Sequence, residues 1–231
     1  MIGDALRLEI ERYAARMPLD NPLYTRAAAG TLQAEHLVAY LKSVHLLVQH
    51  TPIHLHRAEA RANALADRPL ARHYRAKRGE EQGHDAWAER DLGRVSAQVV
   101  RPIATAAHPA MLAMIAFIER VIDEDPALYL SYILFAEYLI VLLGPQWLEL
   151  LESRCGIPRA SMTVIGNHAE LDREHVSEAF EVIDALVGDP RKLPAMRRVL
   201  RESIAGFETF CRGVIEDADV DLHLSASAPA A

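Results

Sequence analysis

Cysteine is nearly absent from this chain of 231 residues: Cys155 and Cys211 are the only two, far apart and in no Cys-x-x-Cys context. That argues against a disulfide framework and against a cysteine-rich metal site. Excess positive charge is missing too. The formal net charge of −7 argues against a general nucleic-acid binder. No stretch alternates apolar and polar residues as a half-buried strand would, so no sheet is expected. No internal repeat is visible and nothing marks a second domain. The opening Met1-Ile2-Gly3-Asp4 is acidic and amphipathic, without signal-peptide character. The expectation is a cytoplasmic protein with one domain over 1–224 and a tail of small residues, 225–231, that is disordered.

What the chain does have is helical period. Its composition, 51% hydrophobic and 25% charged, is ordinary for a globular protein. The pattern predicts an all-α fold, a single bundle of about seven helices. Helices are expected over 4–17, ended by Pro18, and over 31–65, with Thr31 as N-cap and a kink at Pro52. A further helix opens at Asp67-Arg68-Pro69 and runs to 92, and others cover 110–122, 127–151, 167–187 and 190–215. A short helical turn lies over 21–30, and 93–109 reads as a looser connection.

The segment 127–151 is the most hydrophobic in the chain. A membrane span is rejected because Glu137 sits near its centre, Gly144-Pro145 interrupts it and no basic cluster flanks it. An all-apolar helix is then the central helix of a bundle. Glu137 becomes the informative residue, since a carboxylate in such a helix needs a cation. An arginine from a neighbouring helix is one candidate partner, and a metal is another.

Other segments carry groups that match a metal. Glu81 and His84 form a Glu-x-x-His pair, expected on one helix face. Glu80 is the alternative to Glu81; the inward stripe Tyr74, Lys77, Glu81, His84, Ala88 favours Glu81, although Lys77 fits that stripe poorly. His168, Asp172 and His175 follow at i, i+4 and i+7, again one face. Asn167 with Glu170 reads as a capping box, which puts His168 in the first turn of its helix. The plain alternative is a solvated helix face with two surface histidines. Three histidines and three carboxylates suffice for two first-row metals, and mixed imidazole and carboxylate ligation suits iron or manganese better than magnesium or calcium.

At these residues the chain resembles the heme-oxygenase-like diiron oxidases and oxygenases. The resemblance runs from Asn21 through the last helix and rests on Glu81 with His84, Glu137 in Phe-Ala-Glu-Tyr-Leu, His168-x-x-x-Asp172-x-x-His175, and the intervals between them. It implies a metal set of Glu81, His84, Glu137, His168, Asp172 and His175 holding two Fe(II), with manganese possible. It further implies Glu81 and Glu137 as the carboxylates that bridge or shift during catalysis, a small-molecule substrate oxidised with dioxygen, and a homodimer that engages neither nucleic acid nor membrane. Family members act in specialised, natural-product biosynthesis, by N-oxygenation, oxidative C–C cleavage or decarboxylation. Amino acids or their derivatives are the leading substrate class on family prevalence, with fatty acids the alternative.

Gln49, His50 and His54 are expected to line the substrate cavity or support the ligands; His50 and His54 as a separate metal pair lack a carboxylate on their face. A cavity lined by these histidines and arginines would suit an amino-acid carboxylate, whereas an apolar tunnel would suit a fatty acid. The same architecture also carries heme oxygenases, thiaminase-like hydrolases and a cofactor-free quinone-synthesis oxidase. Heme would need a histidine such as His36 or His45, and a thiaminase-like enzyme a cysteine that the central helix lacks. A non-catalytic metal-binding protein is the remaining class. Trp87 and Trp147 are taken as packing residues.

Overall fold

The computed structural model describes residues 1–99 and 106–226. Among the described residues there are nine α-helices and no strands. They are α1 (Ile2–Asp20), α2 (Pro22–Ala29), α3 (Ala34–Ala64), α4 (Arg68–Glu80), α5 (Asp85–Ser96), α6 (Pro109–Glu124), α7 (Tyr129–Cys155), α8 (Thr163–Val187) and α9 (Leu193–Ala226). The all-helical expectation holds.

The helix ends follow local chemistry. The side chain of Asn21 accepts from the Leu23 N–H and begins α2, and Asp67 does the same for α4 through the Leu70 N–H. The expected Thr31 cap of α3 is replaced by Gln33, whose N–H donates to His36 Nδ1 at 3.1 Å. Pro18 and Pro145 do not end their helices: α1 runs on to Asp20 and α7 continues to Cys155. Each proline removes one backbone hydrogen bond, but the buried face of the helix holds it together across the gap. The expected tail begins inside α9, which reaches Ala226; the remainder, 227–231, lies outside the described residues, as does 100–105 of the looser connection.

Two corrections bear on function. The helix expected over 67–92 is broken between Glu80 and Asp85, where Gly83 takes φ of 89°. Side chains disfavour that left-handed region, so the glycine allows a turn that a continuous helix would forbid. The helix carrying the histidines starts at Thr163 rather than Asn167, so His168 lies beyond the first turn and Asn167 caps nothing.

α7 packs along α8 on one side, while α3 lies against α4, α5, α6 and α9. The core between them includes Leu6, Leu37, Leu41, Leu55, Tyr74, Ile118, Tyr129 and Phe210, all fully buried. Together with its preceding turn, α7 is long and apolar enough to cross a membrane by length and composition, but most of it is covered by the other helices. At Gly144 the two central helices touch: a Cβ there would lie 3.3 Å from Ala169 Cβ and 3.4 Å from Ile165 Cγ2. The missing side chain lets α8 approach α7 beside His168.

Candidate metal centre

Two contacts to the α8 backbone and one packed ring aim the site. Asp91, fully buried on α5, accepts from the Val164 N–H at 2.7 Å and from the Thr163 hydroxyl at 2.8 Å. It thus satisfies the start of α8 from outside that helix. One turn on, His168 Nδ1 donates to the Val164 carbonyl at 2.6 Å. A ring nitrogen can meet a carbonyl only as a donor, so in the neutral ring the Nε2 lone pair is left to face the site. The ring is held further by Trp87, edge-on at 5.4 Å between centroids, and Trp87 itself stacks on His84 at 4.1 Å. Trp87 is therefore a packing residue whose packing fixes two imidazoles.

The six side chains implied as ligands come together as two triads. Glu81, His84 and His168 each offer one donor atom, and these lie within 4.8 Å of one another; the same is true of Glu137, Asp172 and His175. Glu81 Oε2 is 3.1 Å from His84 Nδ1 and 3.9 Å from His168 Nε2. In the second triad Asp172 Oδ1 is 3.4 Å from His175 Nδ1. Glu81 is buried at the centre, whereas Glu80 lies half out in solvent, 3.7 Å from His175 Nε2. Glu81 meets His84 across the turn at Gly83 and not along a helix face. The inward stripe thus pointed to the right neighbours through the wrong local geometry.

Lys77 stands inside this site. Its ammonium is 2.5 Å from Glu137 Oε1, 3.2 Å from His175 Nδ1 and 3.6 Å from Glu80 Oε2. The ion-pair alternative for Glu137 is realised, by a lysine from α4 in place of an arginine. The sequence signal for it was Lys77 on an otherwise inward stripe. Asp91 gave no such signal.

The charges are strongly perturbed. Burial pushes the Glu137 carboxyl up to about 7, helped by the negative Asp172 and Glu81 and opposed by Lys77. Burial also raises Asp172. Burial would raise Glu81 as well, but the neighbouring His168 and His84 imidazoles outweigh that and hold it well below the usual range. The same carboxylate raises His168 against the effect of burial, and Glu137 keeps Lys77 protonated although burial opposes it. Three buried carboxylates thus share one ammonium. Its carboxylate and imidazole donors are those that first-row divalent cations take, and a bound cation would relieve the crowding of its carboxylates. The residues fit a pair of iron or manganese ions.

Two cavities flank the centre. One, of about 170 Å³, is lined by Lys77, Glu81, Glu137, His168 and Asp172 and otherwise almost wholly by apolar side chains such as Val44, Leu47, Met114, Ile140 and Phe207. The other, of about 240 Å³, is lined by His73, Lys77, Glu80, Glu137 and His175 with aliphatic neighbours. Lys77, Ile133 and Glu137 belong to both walls.

Gln49, His50 and His54 are not among the lining residues of either cavity, nor is any arginine. His54 is buried against the ring of Tyr129, which lines the first chamber, and His50 lies against His54. Burial, with His50 and Arg57, pushes His54 down to about 4, so it stays neutral. His36 has both ring nitrogens engaged, Nδ1 by the Gln33 N–H and Nε2 by Asp219 at 3.1 Å. Neither cysteine lines either chamber, and burial pushes both thiols up.

No family model matches the chain, and no curated protein does. Among solved structures it is similar to a domain of unknown function with a heme oxygenase-like fold from Shewanella denitrificans, at 16% identity and a TM-score of 0.80, covering 98% of this chain and 96% of that one. A CADD-like protein of unknown function from Nostoc punctiforme has 12% identity and a TM-score of 0.70, over 94% and 98% of the two chains. A TenA homolog from Pseudomonas syringae pv. tomato has 16% identity and a TM-score of 0.66, over 92% of each. At such identities the likeness shows the fold alone, and that fold is heme-oxygenase-like.

Proposed function

We propose that this chain is a non-heme dimetal oxidase or oxygenase that uses dioxygen on a small apolar molecule. The observation that carries the reading is the pair of triads, Glu81, His84, His168 and Glu137, Asp172, His175, in a buried site whose three carboxylates outnumber its one ammonium. Bound iron, or manganese, would supply dioxygen activation. The chain's own part is to aim the His168 lone pair through Val164, to hold His84 and His168 against Trp87, and to keep water from the reacting end of the substrate. Glu81 and Glu137 would each supply a carboxylate to one of the two ions.

The chamber's lining shifts the choice of substrate. Among the described residues, Lys77, already paired with Glu137, is the only basic side chain besides His168 in its lining. The amino group and carboxylate of an amino acid would thus face mostly aliphatic and aromatic walls, which suit an acyl chain. The fatty-acid alternative therefore takes precedence over the amino-acid class, with oxidative decarboxylation as its reaction. His36, with both nitrogens occupied, is a poor heme ligand, and neither thiol lines the chambers to serve a thiaminase-like hydrolysis.

The test is anaerobic loading with Fe(II), metal analysis after desalting, and dioxygen uptake with medium-chain fatty acids or with amino acids, products being read by mass spectrometry. Retained iron with uptake stimulated by the acids is expected, and Glu137→Ala should lose both. Wild-type protein that retains no divalent metal would refute the reading. Turnover of amino acids alone would sink the substrate class and leave the oxidase standing.

A further inference from the structure

The two triads are alike in donors but not in circumstance. Among the described residues, no fixed cation sits within ion-pairing distance of the Glu81 carboxylate except the imidazoles of its own triad. The other triad already contains one: the Lys77 ammonium touches both Glu137 and His175, two of its three members. Lys77 is buried, yet its side chain reaches both cavity walls, and a second carboxylate waits for it on the outer side. That carboxylate is Glu80, 3.6 Å from Nζ and about half exposed.

We infer that Lys77 is a resident counter-cation that makes the two metal positions unequal. The first ion enters the Glu81 triad, where no ammonium is paired with a ligand. The second can occupy the Glu137 triad only when the ammonium leaves Glu137 and His175 and moves to Glu80. A cation already bound between two donors must be displaced before a metal can use them, and like charges a few ångströms apart repel strongly in a buried site. Glu80 keeps the displaced ammonium paired. Lys77 is thus a positioning residue that acts on metal order, and the inference rests on the dimetal reading of the same site.

The experiment is a calorimetric titration of the metal-free protein with Mn(II), with electron paramagnetic resonance separating isolated from coupled ions. Wild type should bind one ion tightly and a second at least about ten-fold more weakly. Lys77→Met should tighten the second event by about ten-fold and leave the first nearly unchanged, while Lys77→Arg keeps the gap. Glu80→Gln should widen the gap in the wild-type background and have a clearly smaller effect in Lys77→Met, where only its contact to His175 Nε2 is lost. Should Lys77→Met fail to fold, Lys77→Gln takes its place in both comparisons, since it removes the charge and keeps a polar side chain. Equal affinity for two ions in wild type overturns the inference and spares the dimetal site. An effect of Glu80→Gln as large without Lys77 as with it overturns it as well. Wild type that takes up no Mn(II) overturns both.

Discussion

Replacing Glu137 with Gln should remove a pH-dependent instability from the metal-free protein. The carboxyl at 137 rises from 4.5 to about 7 on folding, mainly through burial. The sign follows from linkage: a carboxyl whose pKa is raised by folding costs nothing while both states are protonated. The cost appears as pH rises past the unfolded value, because the unfolded chain then ionises freely, and it is complete above the folded value. At about 1.4 kcal/mol per unit, the rise is worth about 3 kcal/mol. Urea denaturation of EDTA-treated protein should therefore show wild type losing about 3 kcal/mol relative to Glu137→Gln between about pH 4.5 and about pH 8. The glutamine amide would still offer Lys77 an acceptor, so the comparison isolates the carboxyl's proton. The same stability difference at both ends of the range would refute the argument, since it would mean that folding does not raise the Glu137 carboxyl. Metal should reverse the pattern, because binding requires the deprotonated carboxylate and so strengthens as pH rises.

Asp91→Ala should cost about 3 kcal/mol in denaturation experiments, because it strips the Val164 N–H and Thr163 hydroxyl of a charged acceptor in a dry site. It should also weaken Mn(II) binding, since His168 hangs from the same turn. Gly144→Val should destabilise by about 2 kcal/mol in the same assay, as its side chain would meet Ala169 and Ile165 where α7 and α8 touch. Val44→Trp should fill part of the apolar chamber and abolish stimulation of dioxygen uptake by medium-chain acids, with metal content unchanged.

Most of the helices were legible because 3.6-residue periodicity reports which face is buried, and proline, asparagine and aspartate mark the ends. The boundaries failed where tertiary packing overrode those marks. Pro145 is carried through α7 by the helices around it, and α8 gains an extra turn at its start because Asp91, from another helix, caps it. The chamber's character was not legible either. Val44 and Ile140 read as ordinary core residues in the sequence, and only the assembled helices leave space between them.

By itself the sequence determined an all-helical chain with a carboxylate stranded at the middle of its most apolar helix, and it suggested the five other side chains that would answer it. Local spacing and the cost of burying charge are both written in one dimension. Tertiary structure alone decided that these six side chains divide into two triads and that the cation beside Glu137 is Lys77. Those facts depend on which helices lie side by side, and no spacing along a single chain segment encodes that.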